Sequence, residues 1–123
     1  MIRSLALSVL LLAAAASPAA AARAGRSELR LSYMADSGHA AAVVLRCDPA
    51  GGPHPKKGKA CQALGKVQGD PARLRAKNLM CTLEYAPITA TVEGTWRGRQ
   101  VTWSHVFGNG CDLGRTMGAV MAF

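Results

Sequence analysis

Four cysteines, Cys47, Cys61, Cys81 and Cys111, follow an N-terminal segment that reads as an export signal. That combination constrains this 123-residue chain more than any other feature. Arg3 gives the segment a positive start. Leu5 to Ala16 is apolar or small apart from Ser8, Ser17-Pro18 breaks the run, and Ala20-Ala21-Ala22 offers an A-x-A cleavage site. The run is shorter than the ~20 apolar residues a bilayer span needs, so residues 1–22 read as a secretory signal peptide. The cut is placed to within a few residues. Residues 23–123 then form one domain, and a chain of about 100 residues buries only a modest core. An even number of cysteines in a small exported domain implies a disulfide framework with three possible connectivities. Spacing favours the local pairing only weakly. The gaps are long and no C-x-x-C pair occurs, which argues against a metal site.

The formal net charge is +8, and without Arg3 it is +7, from 14 basic against 7 acidic side chains. Such a balance raises nucleic acid or a polyanionic surface as a partner. The basic residues are scattered, however. The densest group is Lys56, Lys57 and Lys59, aromatics are few, and no nucleic-acid motif is present. The charge therefore reads as a solvated surface, with neither nucleic acid nor membrane as partner. A basic secreted module for cell-envelope polyanions is the alternative; its binding would collapse with salt.

Periodicity gives an α+β fold with an antiparallel sheet. Leu29, Leu31 and Tyr33 alternate with Arg30 and Ser32 as a strand. Asp36 to His39 is a turn, and Ala41 to Cys47 is a second strand. Asp48 to Pro55 is a loop rich in proline and glycine. Lys56 to Val67 is helical, with Ala60, Ala63, Leu64 and Val67 on one face. Asp70 caps a second short helix over Pro71 to Arg75, with proline at its first position. Residues 76–87 have no period and read as a loop. Ile88 to Val92 is a strand; Glu93-Gly94 and Arg97-Gly98 are turns. Gln100 to Phe107 is a long strand with Val101, Trp103, His105 and Phe107 on one face. Asp112 to Gly118 is a loop, and Ala119 to Phe123 a closing strand. The expectation is five strands and two short helices.

Enzyme motifs are missing. No nucleophile elbow, H-E-x-x-H, P-loop or dinucleotide glycine pattern occurs. His39, His54 and His105 fall on a turn, a loop and a strand, and read as structural or exposed. Cysteines used as staples leave no thiol nucleophile. No carboxylate pair is placed for acid–base work, and nothing calls for a cofactor or metal.

The segment Met80-Cys81-Thr82-Leu83-Glu84-Tyr85-Ala86-Pro87 carries the chemistry instead. A disulfide at Cys81 would tether one side, and Pro87 fixes φ near the other. Between them Leu83 is free to enter a protease's primary specificity pocket. A segment ordered before binding loses little entropy on binding.

The chain from Leu29 to Phe123 resembles the Streptomyces subtilisin inhibitor family. The matching residues are Cys47, Pro49 and Gly51; Gly52-Pro53-His54-Pro55; Ala60-Cys61; and Gly69-Asp70. Further along they are Met80-Cys81-Thr82, Glu84-Tyr85-Ala86-Pro87, and Val92 to Gly98. Val106-Phe107, Asn109, Cys111 and Phe123 complete the set. Order and spacing agree across almost the whole domain.

The resemblance implies a five-stranded antiparallel sheet with two helices and the disulfides Cys47–Cys61 and Cys81–Cys111. It implies a secreted homodimer that inhibits subtilisin-like serine proteases without being an enzyme. The reactive bond would be Leu83–Glu84, with Leu83 as the residue filling the specificity pocket (P1) and Glu84 following it (P1′). Met80, Cys81, Thr82, Tyr85 and Pro87 would complete the binding loop, and Asn109 would brace it from below. Relatives often carry Lys, Arg or Met where this chain has Leu83. Leucine cannot pair with the carboxylate in trypsin's pocket. The expected targets are therefore subtilisin-like proteases, with chymotrypsin-like proteases as a further class, and not trypsin.

Overall fold

The computed structural model describes residues 25–123. The signal-peptide reading of residues 1–22 lies outside these. Four strands form one antiparallel sheet: β1 (Ser27–Ala35), β2 (Ala40–Cys47), β3 (Ile88–Trp96) and β4 (Arg99–Phe107), in the spatial order β2-β1-β3-β4. Two helices, α1 (Lys57–Lys66) and α2 (Gly110–Met117), and a 3-10 turn at Gly118–Met121 complete the main elements. The α+β class with an antiparallel sheet therefore holds, with four strands rather than five.

Strand alternation sets the layers. Leu29 and Leu31 on β1 face inward, opposite Leu45 and Val43 of β2, and Leu31 also pairs with Val92 of β3. Ala60 and Leu64 of α1, Leu113 and Met117 of α2, and Val120 and Met121 cover that face. Fully burying a leucine contributes about 1.5–3 kcal/mol, so Leu29, Leu31, Leu45 and Leu64 anchor the core. The expected helix over 56–67 is present within one residue at each end, with Ala60 and Leu64 buried as their spacing requires. Cys47–Cys61 ties the end of β2 to this helix.

The turns between strands follow local chemistry. Arg97 and Gly98 both adopt positive φ, 48° and 81°. That matches the mirror-image two-residue turn whose twist suits a hairpin, here joining Trp96 to Arg99. Arg97 also reaches Asp48 with two hydrogen bonds, Nε to Oδ2 at 3.0 Å and Nη2 to Oδ1 at 3.3 Å. These bonds, more than the charge itself, hold the Asp48 carboxyl below its ordinary value against a small opposing burial. A depressed carboxyl favours the fold above its ordinary titration range. The contribution is lost as pH falls through the lowered value.

Four expectations fail for physical reasons. Glu93-Gly94 is not a turn; both lie inside β3. Gly94 has φ of 142°, and a Cβ there would stand 2.1 Å from the Glu28 carbonyl oxygen. The glycine permits close approach of β1, the second use of glycine in a strand. Gly94→Ala is therefore expected to destabilise the fold by about 2–4 kcal/mol, read as a lowered thermal midpoint; an unchanged midpoint would contradict the close approach.

The helix expected at Pro71–Arg75 is a single 3-10 turn, Pro71–Arg73. Its cap reads correctly, since Asp70 Oδ1 accepts from Ala72 N at 3.1 Å. Leu74, at φ −65° and ψ 136°, leaves for extended chain. The second helix is instead Gly110–Met117, where a loop was expected. The closing strand at Ala119–Phe123 is also absent. The segment is a 3-10 turn, and Val120 and Met121 are buried side by side on the helical layer, unlike the alternation of a strand with one face in water. His54 fixes this segment. Its Nδ1 accepts from Lys56 N at 2.9 Å, so its Nε2 carries the proton donated to Val120 O, also at 2.9 Å.

Candidate functional site: a braced, exposed loop

Residues 76–87 run without regular structure between the Pro71–Arg73 turn and β3. Met80 and Leu83 are 100% exposed and Tyr85 is 81% exposed. Large apolar groups normally leave water. Here they stand out on a segment whose backbone is tied down at several points.

The central tie is Asn109. It is the N-cap of α2, in extended backbone, and its Oδ1 accepts from Asp112 N at 2.9 Å. That bond orients the amide so that Nδ2 faces the loop. The two Nδ2 hydrogens are donated to Thr82 O and Glu84 O, each at 2.9 Å. These carbonyls flank Leu83 on either side. Asn109 itself is only 6% exposed, so the fork is shielded from competing water. Thr82 Oγ1 donates to a Glu84 carboxylate oxygen at 3.3 Å, a second link across Leu83.

Both limbs of the loop are fixed as well. Upstream, Cys81 is bonded to Cys111 at the start of α2. Downstream, Ala86 N donates to Gly108 O at 2.8 Å, and Pro87 O accepts from Asp36 N at 3.1 Å as the chain enters β3. The loop is held open, with Leu83 at its apex. Its backbone is ordered before any partner arrives, which is the requirement for substrate-like binding at low entropic cost.

The residues singled out in the sequence fall into two groups. Thr82, Leu83, Glu84, Asn109, Cys81 and Cys111 meet at one place, with Met80, Tyr85 and Pro87 along the same segment. Cys47–Cys61 lies elsewhere, between β2 and α1. His54 is a buried structural group, His39 sits beside Tyr33, and His105 packs between Trp103 and Phe107. Among the described residues, no group of three His, Cys, Asp or Glu side chains is placed to hold a metal.

Sequence reasoning misses Asp112 and Arg115, because 112–118 reads as loop, and Gly108, whose part is played by a backbone carbonyl that no side chain signals. Two glycines, Gly110 and Gly114, hide the helix, since glycine within a helix costs roughly 1 kcal/mol relative to alanine, while Gly118 ends it at positive φ. The signal was nonetheless present. Asn109 is a favoured cap, Asp112 sits three residues on, and Leu113 and Met117 are spaced four apart.

Comparison with known proteins identifies a family. The family described as subtilisin inhibitor-like matches residues 25–109. Subtilisin inhibitor-like protein 1 of Streptomyces cacaoi is 43% identical over 93 residues, covering 72% of this chain and 84% of that one. A subtilase-type protease inhibitor of Streptomyces coelicolor is 42% identical over 84 residues, covering 67% of this chain and 58% of the relative. Among solved structures, Streptomyces caespitosus sermetstatin in complex with Bacillus licheniformis subtilisin matches with a TM-score of 0.66 at 31% identity. The match covers 80% of this chain and all of that one. The relatives are named as inhibitors, not as enzymes. With the match spanning most of the described domain, this chain belongs to the subtilisin inhibitor-like family.

Proposed function

We propose that the chain is a secreted protein inhibitor of subtilisin-like serine endopeptidases, with Leu83–Glu84 as its reactive bond. The observation that carries this reading is the Asn109 fork on both carbonyls flanking a fully exposed Leu83. The protease serine attacks the Leu83 carbonyl carbon as it would a substrate's, its histidine taking the proton. The tetrahedral intermediate then expels the Glu84 amine, leaving Leu83 esterified to the serine. In a flexible peptide the amine diffuses away and water completes hydrolysis. Here the Glu84 carbonyl stays on Asn109, and Ala86 and Pro87 stay on the scaffold. The Leu83 side remains on Cys111 and on the same Asn109 amide. The amine is held at high effective concentration and religation outruns water. No cofactor enters this chemistry.

Leu83 suits apolar primary pockets, so the target range extends to chymotrypsin-like enzymes and excludes trypsin. Secretion rests on the signal-like residues 1–22. No helix among the described residues is long and apolar enough to cross a membrane. The inhibitor acts as a homodimer. Met34 and Val106 support this: both are exposed, and both align with Thr89 across β1, β3 and β4 on the outer sheet face.

The test is titration of subtilisin with the mature protein, followed by mass spectrometry of the mixture, with light scattering on the same preparation for the dimer. Stoichiometric inhibition with trace cleavage only between Leu83 and Glu84 is expected. Rapid digestion, or a cut elsewhere, would overturn the reading.

A further inference from the structure

The loop's upstream limb has a holder of its own. Lys77 N donates to Arg115 O at 2.9 Å, and Arg115 Nη1 donates to Leu79 O at 3.3 Å. Arg115 lies near the end of α2, and its Nε donates to Asp112 Oδ1 at 2.8 Å. Asp112 in turn offers its backbone N–H to Asn109 Oδ1. Asn109, Asp112 and Arg115 recur every three residues, so they lie along one side of α2. The helix thus carries a row of three linked groups, the first reaching the apex of the loop and the last its approach.

The shape of the guanidinium matters. One nitrogen is engaged by Asp112 while a different one reaches Leu79. A lysine ammonium is a single point on a flexible stem and cannot span both sites in a fixed plane. The carboxylate–guanidinium bond also carries charge on both sides, which makes it stronger than a neutral one. It aims the second nitrogen at the backbone.

We propose that Arg115, aimed by Asp112, is a positioning residue for the reactive loop: it fixes residues 77–80 so that the segment enters Cys81 on one course. This rests on the inhibitor reading given above. With the limb fixed, the Leu83 carbonyl returns to the Glu84 amine after acylation. With the limb loose, the Leu83 side retains only the disulfide and the Asn109 bond, and water gains time to react.

Three variants decide it: Arg115→Ala, Arg115→Lys and Asp112→Asn. Each is measured for the rate of cleavage at Leu83–Glu84 by excess subtilisin, for thermal midpoint, and for ¹⁵N order parameters of residues 77–82 in the free protein. Loss of one charge-assisted bond on a half-exposed side chain should speed cleavage about three- to tenfold. The order parameters of residues 78–81 should fall, and the thermal midpoint should shift little. Arg115→Lys should behave like Arg115→Ala. If Arg115 served only the charge balance of α2, lysine would restore the parent's behaviour, and that outcome overturns the proposal. Unchanged order parameters in Arg115→Ala overturn it as well, whether or not the protein inhibits subtilisin. If the parent itself fails to inhibit, the inhibitor reading falls instead, and the order parameters still report on the brace.

Discussion

Leu83→Lys is expected to give a trypsin inhibitor. The parent should not inhibit trypsin measurably, because leucine leaves the carboxylate at the base of trypsin's pocket buried and unpaired. A lysine supplies the missing partner. Sites built around a buried polar group discriminate by roughly 10⁴-fold or more between side chains that do and do not satisfy it. A gain of at least about a thousandfold in trypsin affinity is therefore expected. Subtilisin affinity should change by no more than about tenfold, since an apolar pocket is far less selective. The substitution leaves the free protein intact. Leu83 is fully exposed, and exposed substitutions usually move stability by less than about 0.5 kcal/mol. The contrast is thus clean: an unchanged thermal midpoint beside a new activity. A folded variant without trypsin inhibition would show that Leu83 does not enter the primary pocket.

The second large effect is expected from Cys81→Ser combined with Cys111→Ser. This bond joins residues 30 apart in sequence, and in the chain-entropy model its loss costs about 3–4 kcal/mol. That is a large part of the roughly 5–15 kcal/mol that holds a domain together. The functional loss should be larger still. With the bond cut, the Leu83 side of the loop keeps only hydrogen bonds, each contributing about 1 kcal/mol net. An acyl-enzyme formed at Leu83 would then drift from the Glu84 amine, and hydrolysis would win. The variant should inhibit briefly and be consumed within hours, with mass spectrometry showing complete cleavage at Leu83–Glu84. The Cys47/Cys61 double serine variant is the control. Its bond spans 14 residues and touches no part of the loop, so it should lower the thermal midpoint while leaving the inhibitor uncleaved. Should the Cys81/Cys111 variant inhibit as long as its parent, preorganisation by the disulfide would not be what makes this loop an inhibitor.

Much of the fold was legible because its determinants are local. Leu29, Leu31 and Tyr33 recur with period two, and β1 forms there. Ala60 and Leu64 recur at helical spacing, and both are buried on α1. Arg97-Gly98 sits between two hairpin strands and turns them. Where a residue type has two uses, local reading failed. Gly94 signals a turn or a close backbone approach, and only the position of Glu28 on the neighbouring strand decides between them. Ala119 to Phe123 is apolar enough for a strand, but the buried face it covers belongs to the helical layer.

The exposed loop was likewise written in the sequence, as an aperiodic run between Cys81 and Pro87 with Leu83 at its middle. The family's residue pattern located it. What the sequence by itself determined is the set of side chains and the alternation that puts each on a face. What only the tertiary structure decided is who holds the loop. Asn109 lies 27 and 25 residues from the two carbonyls it grips, and Arg115 lies 36 from Leu79. No periodicity reports a contact at that separation, because it exists only once α2 has formed and docked beneath the loop.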